Sequence, residues 1–128
     1  MVFPDFNNSA KGNLYVDDGI SYKYTNNSEF EYINFLYKDF ELILKSGNNK
    51  ENSFVVPLLN HIYIFGVNKF NVGVEKIKNV ILTISSTSSS SDDIIISDLE
   101  FEISEFDMVL IKNANIPMNK NIKIKISI

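Results

Sequence analysis

The sequence contains no cysteine, no tryptophan and no arginine, and His61 is its single histidine. Without cysteine, disulfide scaffolds, thiol nucleophiles and zinc–cysteine sites are excluded. His61 has no second histidine with which to hold a metal and no evident nucleophile to activate, so we expect a structural or surface role for it. The sequence therefore predicts no metal site and no cofactor.

Positive charge is sparse and dispersed. The twelve lysines are spread along the chain against sixteen acidic residues, which gives a net charge of −4. Nucleic acids require concentrated Lys and Arg, and anionic membrane surfaces disfavour such a chain for the same reason. No apolar run approaches the ~20 residues needed to span a bilayer, and the first residues lack the pattern of a signal peptide. Neither a nucleic acid nor a membrane is predicted as a partner.

What the chain does contain is apolar material for a core. Of its 128 residues, 45% are hydrophobic and 12% are aromatic. A chain of this length can bury about two thirds of its unfolded surface, so it needs no disulfide or metal to fold. We expect one domain spanning residues 1–128.

Hydrophobic residues alternate with polar ones along much of the chain. "NIKIKISI" (121–128) places four isoleucines on one face, and "FELILK" (40–45) and "LEFEIS" (99–104) follow the same period. A period of two is typical of strands with one buried face. Short Asn- and Gly-rich turns separate the segments, which favours an all-β, antiparallel β-sandwich of about 8–10 short strands. The other predicted strands are 14–16, 21–24, 29–37, 61–67, 80–85, 93–97 and 108–112.

A tract of low complexity, "SSTSSSSDD", occupies residues 85–93. Its composition offers nothing to bury, so we expect a mobile loop between two strands.

Two adjacent carboxylates stand in "YVDDG" (15–19). The Tyr-x-Asp-Asp hairpin of reverse-transcriptase-like polymerases has this form, but two-metal chemistry needs a further carboxylate from an earlier strand, and Asp5 is the only acid that precedes the pair. Adjacent residues also cannot readily place their carboxyls ~5.5 Å apart across a sugar, as retaining glycosidases do. The four residues Tyr15, Asp17, Asp18 and Gly19 are interpreted as a structural turn motif, with Gly19 supplying a positive φ.

Tyrosines provide the remaining candidate for binding. Tyr22, Tyr24, Tyr32 and Tyr37 could form a platform on which sugars stack, which would make the chain a carbohydrate-binding module. Tyr22 and Tyr24 share one face of a strand, however, where core or cross-strand packing is the usual role. No substrate-binding residue is assigned.

The same region carries a resemblance to a known family. "GNLYVDDGISYKY" followed by "SEFEYINFLY" is similar to a pattern in the C-terminal β-sandwich of glycoside hydrolase family 31, and 54–69 and 109–126 resemble later parts of that domain. The Ser-rich tract departs from it. The positions that match the pattern are Gly12, Leu14, Tyr15, Asp17, Asp18, Gly19, Ser21, Tyr24, Glu29 and Phe30.

The resemblance implies an accessory role. In this family the catalytic aspartates lie in a (β/α)₈ barrel N-terminal to the sandwich, and no stretch here resembles their motifs, so no catalytic residue is carried over. A barrel of roughly 250 residues would not fit in this chain either. The resemblance thus implies the non-catalytic C-terminal fragment of a larger retaining α-glucosidase that hydrolyses α-linked glucose.

Its partners and location follow from the same resemblance. The sandwich would pack against the catalytic barrel and other domains of the parent enzyme, and it would self-associate through the face exposed in isolation. The closing segment is most similar to members that trim N-glycans, which implies the endoplasmic-reticulum lumen. A free-standing carbohydrate-binding module is the alternative, and it would need exposed aromatic rings.

Overall fold

The computed structural model describes residues 1–16, 31–46, 58–67, 77–85, 95–104, 107–118 and 120–128. Their regular elements are strands, which confirms the all-β prediction. In chain order these are β1 (Ser9–Val16), β2 (Glu31–Lys38), β3 (Glu41–Ser46), β4 (Leu58–Leu59), β5 (Ile62–Phe65), β6 (Asn79–Ser85), β7 (Ile95–Ser104), β8 (Met108–Lys112), β9 (Ile116–Pro117) and β10 (Asn121–Ser127).

Eight of these strands form one curled antiparallel sheet, in the order β1-β2-β3-β10-β6-β7-β8-β5. Residues 95–99 of β7 pair with β6, and residues 100–104 pair with β8. The described parts of the two segments predicted as separate strands, 95–97 and 99–104, therefore belong to one strand, which pairs with both halves of the sheet. A separate small sheet pairs β4 with β9, two strands too short to leave a period in the sequence.

The inner face of the curled sheet holds a single core to which both halves contribute. In β10 the alternation is confirmed for Ile122, Ile124 and Ile126, which are between 1% and 4% exposed, whereas Ile128, predicted on the same face, follows the end of the strand and is 42% exposed. Ile62 and Ile64 of β5 belong to the same buried cluster. Burying an isoleucine side chain contributes about 1.5–3 kcal/mol to stability. The lysines between the β10 isoleucines lie on the other face of the strand and remain in water.

The N-terminal segment extends the sheet beyond β5. The Val2 N–H donates to the Tyr63 carbonyl at 2.7 Å, and the Phe65 N–H donates to the Val2 carbonyl at 3.0 Å, in a parallel bridge. The Phe3 ring stacks on Phe65 with centroids 4.6 Å apart. No periodic pattern in residues 1–5 predicted this pairing.

The hairpin between β2 and β3 has a two-residue turn of unusual composition. Asp39 and Phe40 both adopt positive φ, 48° and 68°. Such turns suit the right-handed twist of a hairpin but favour Asn-Gly, because a bulky side chain is strained in the left-handed region. Phe40, which the alternation placed at the start of a strand, forms the turn instead and packs its ring partly against the core.

This strain is measurable with a matched pair of variants. Phe40→Gly and Phe40→Ala both delete the ring, so their difference reports the backbone alone. Relief of left-handed strain outweighs the greater unfolded-state entropy of glycine, and we expect Phe40→Gly to be more stable by about 0.5–1 kcal/mol. Urea unfolding of both variants measures the difference. A more stable alanine variant would contradict the strained turn.

Candidate functional site

A reverse turn between Asp5 and Ser9 separates the N-terminal segment from β1. The Asp5 N–H donates to the Ser9 carbonyl at 2.9 Å. The Asp5 carboxylate accepts hydrogen bonds from the N–H groups of Asn7, at 2.9 Å, and Ser9, at 3.0 Å. From this turn, residues 1–3 run along β5 while β1 runs along β2. The two segments diverge, and a cleft lies between them.

This cleft, named here the β1 cleft, has a volume of about 560 Å³ and is lined by residues 1–3 on one side and 10–14 on the other. Its volume falls in the range of ordinary ligand sites. None of the described residues that line it is acidic, although the chain as a whole carries a net negative charge. Its floor is formed by the apolar or aromatic side chains of Phe35, Tyr37, Leu42, Ile62 and Met118.

Tyr37 is the principal polar group of this floor. It is 1% exposed, and its hydroxyl has no hydrogen-bond partner of good geometry among the described residues. Burial raises the pKa of Tyr37 to about 12. The polar main chain of Phe40 lowers this pKa in part, and the negative charge of the Asp39 carboxylate raises it. Tyr37 is thus a core residue, so its proposed place in a sugar-stacking platform is wrong.

Tyr15 and Tyr32 occupy the opposite, outer face of the sheet. They are direct cross-strand neighbours in β1 and β2, and they are 48% and 37% exposed. Ser9 and Lys38, which pair with each other six residues from the Tyr15–Tyr32 pair, lie on the same outer face. Of the four tyrosines of the predicted platform, Tyr32 is the one that the described residues show to be exposed, and Tyr15, which was not among the four, lies beside it. Tyr22 and Tyr24 lie outside those residues.

The turn motif is described only at its first residue. Tyr15 lies in β1, one residue before the strand ends at Val16. Asp17, Asp18 and Gly19 follow directly but lie outside the described residues, so their role in a turn stays a prediction. The Ser-rich tract also lies outside them, except that Ser85 is the last residue of β6.

His61 lies at the rim of the β1 cleft and is exposed, in agreement with a surface role. In the described part of the chain, no three His, Asp or Glu side chains are grouped so that they could hold a metal. The same residues include no helix long and apolar enough to cross a membrane. No sequence pattern indicates the β1 cleft, because its lining comes from segments far apart in the chain.

Neither a protein-family model nor a curated protein matches the sequence. Solved structures do match the fold. The heterodimeric complex of endoplasmic-reticulum glucosidase II, consisting of the catalytic subunit and the binding domain of the regulatory subunit, matches with a TM-score of 0.66 at 17% identity. The glucosidase II α subunit bound to α3-Glc2 matches with a TM-score of 0.65 at 17% identity, and its Glc1Man2-bound form with 0.61 at 16%.

Each match covers 94% of this chain but 13% of the chain it matches. At this level of identity the likeness shows the fold. The fold is therefore similar to that of one part of the much longer glucosidase II chains.

The buried hydroxyl of Tyr37 can be tested by removing it. Because the hydroxyl is buried without a good partner, we expect Tyr37→Phe to be as stable as the unaltered chain or up to ~1 kcal/mol more stable at pH 8. The folded state holds this proton more tightly than the unfolded state. The unaltered chain should therefore lose stability as the pH rises from about 10 to about 12, while the variant is spared this loss.

Urea unfolding at pH 8 and pH 11 measures both effects. Tyr32→Phe, which removes a hydroxyl from a partly exposed ring on the same strand, is the matched control. A Tyr37→Phe variant that is much less stable at pH 8, or whose advantage does not grow at pH 11, would contradict an unpaired buried hydroxyl.

Proposed function

We propose that this chain is the non-catalytic C-terminal accessory domain of a larger retaining α-glucosidase of glycoside hydrolase family 31, of the glucosidase II type. The observation that carries the proposal is the fold likeness over 94% of the chain to a 13% portion of glucosidase II chains. The pattern from Gly12 to Phe30, which resembles the C-terminal sandwich of the same family, supports it independently.

The accessory role is structural. Catalysis would come from a barrel elsewhere in the parent enzyme, acting on α-linked glucose of N-glycans in the endoplasmic-reticulum lumen. The outer face of β1 and β2 carries Tyr15, Tyr32 and Leu36, each of which exposes more than a third of its surface. Apolar residues grouped on one face are typical of surfaces that dock onto another domain, and we assign this face to contact with the rest of the enzyme.

An antibody raised against the 128-residue chain tests this proposal. Used on extracts of cells that express the protein, it should precipitate α-glucosidase activity together with a polypeptide several times longer than the chain. Excess recombinant chain, added as competitor, should abolish the precipitation. The purified chain alone should not turn over a chromogenic α-glucoside. Precipitation of a band of the chain's own size without activity would refute the proposal.

A carbohydrate-binding module is the second candidate, and the exposed pair Tyr15 and Tyr32 is the observation that favours it. Exposed aromatic faces are what sugar stacking requires. If the chain is such a module, glucose or malto-oligosaccharides should shift the NMR signals of both rings at millimolar concentrations, and Tyr15→Ser should abolish the shifts. The accessory role predicts no shifts. Tyr37→Phe, at a buried tyrosine, is the control that should leave any binding intact.

A further inference from the structure

The hydrogen bonds at the start of β1 define which of its main-chain groups face outward. The Asn8 carbonyl accepts from the Asp39 N–H at 3.1 Å, on the side of β2. The N–H and carbonyl of the next residue, Ser9, are both bonded to Asp5, on the opposite side. Main-chain groups alternate in direction along an antiparallel strand. Those of Ala10, Gly12 and Leu14 therefore point to β2, and those of Lys11 and Asn13 point away from it.

The edge made by Lys11 and Asn13 borders the β1 cleft. Their side chains share the outer face with Tyr15, because alternate residues of a strand lie on the same face. They line the cleft nonetheless, so they border it through their main chain. Among the described residues, neither of these two has a main-chain partner on its outward side. Asp5 thus satisfies the outward main-chain groups of Ser9, but not those of Lys11 and Asn13.

Gly12 opens the cleft beside this edge. It lies opposite Phe35 in the ladder and shares the inner face, toward the floor of the cleft. A Cβ atom added at Gly12 would meet nothing within 4 Å, so the missing side chain leaves space for one from another molecule. Edge strands that are open in this way accept a further strand.

We propose that the β1 cleft binds an extended peptide segment, which adds as a strand to β1, places an apolar side chain over Gly12 and sets a carboxylate opposite Lys11. Strand addition takes affinity from main-chain hydrogen bonds and specificity from alternate side chains. The apolar floor selects the inward residues of the peptide.

Charge selects its outward residues. Lys11 is exposed, and its neighbour across the ladder is Leu36. The ion pairs of the described residues join Lys112 to Glu102 and Lys123 to Glu41, so they leave Lys11 without an acidic partner. A peptide with alternating acidic and apolar residues complements both faces of this edge.

A second copy of β1 has no acidic residue to set opposite Lys11, and one of its registers is also obstructed. A twofold pairing centred on Gly12 would set Lys11 opposite Asn13 and Tyr15 opposite Ser9 of the other copy. The outward groups of Ser9 are already bonded to Asp5, so the second strand would meet the Asp5 turn. A short segment avoids this obstacle. The inference goes beyond the proposed function, since it concerns a site of the chain itself.

Amide hydrogen exchange, followed by NMR, tests the proposal with the peptide acetyl-Glu-Leu-Glu-Val-Glu-amide as the probe. In the chain alone, the amides of Lys11 and Asn13 should exchange quickly, while those of Gly12 and Leu14 are protected by β2. The probe should slow exchange at Lys11 and Asn13 at least tenfold and leave Gly12 and Leu14 unchanged. A peptide with lysine in place of each glutamate should bind at least tenfold more weakly.

Two variants separate binding from folding. Gly12→Val places a β-branched side chain in open space, so it should leave the chain folded and at least as stable while it weakens the probe tenfold or more. Asn13→Pro removes one outward N–H without touching the β2 ladder and should abolish binding. Asn13→Ala, the matched control, should bind as the unaltered chain does.

Three results would overturn the proposal. Protection of Lys11 and Asn13 that rises with protein concentration, without probe, would assign the edge to a second copy. Shifts at Gly12 and Leu14 without protection of Lys11 and Asn13 would mean that the cleft takes an apolar group and no strand. Equal binding of the acidic and lysine peptides would show that Lys11 does not select a carboxylate.

Discussion

The structure depends on one sheet burying its apolar face against itself. With no helix among the described elements to cover that face, the sheet curls until its two halves share a core. β7 makes this possible, because its first half pairs with β6 and its second half with β8. The apolar contacts across the core therefore hold together strands at opposite ends of the sheet, as well as those that are hydrogen-bonded neighbours.

Curling creates the surfaces that a function can use. β1 and β5, the two edges of the sheet, both border the β1 cleft, and residues 1–9 connect them. The N-terminal segment covers the edge of β5, while Asp5 covers that of β1 only at Ser9. The gap exists because the curled sheet does not close: β1 and β5 are not hydrogen-bonded to each other. Main-chain groups of β1 and apolar surface of the cleft are therefore accessible.

The inner and outer faces of the sheet suit different tasks. Tyr37, on the inner face, is buried in the core, whereas Tyr32, five residues earlier in the same strand, is on the outer face and partly exposed. The outer face presents exposed aromatic and aliphatic surface, and the cleft edge presents main-chain groups of β1.

The alternation of apolar and polar residues by itself determined the all-β class and most strands, β10 above all, because the face on which a side chain lies depends only on its position along the strand. Tertiary structure alone decided that 95–104 is one strand, that Tyr37 is buried, and that residues 1–3 and 10–14 enclose a cleft with Met118. Pairing and curvature depend on contacts between distant segments, and no local period encodes them.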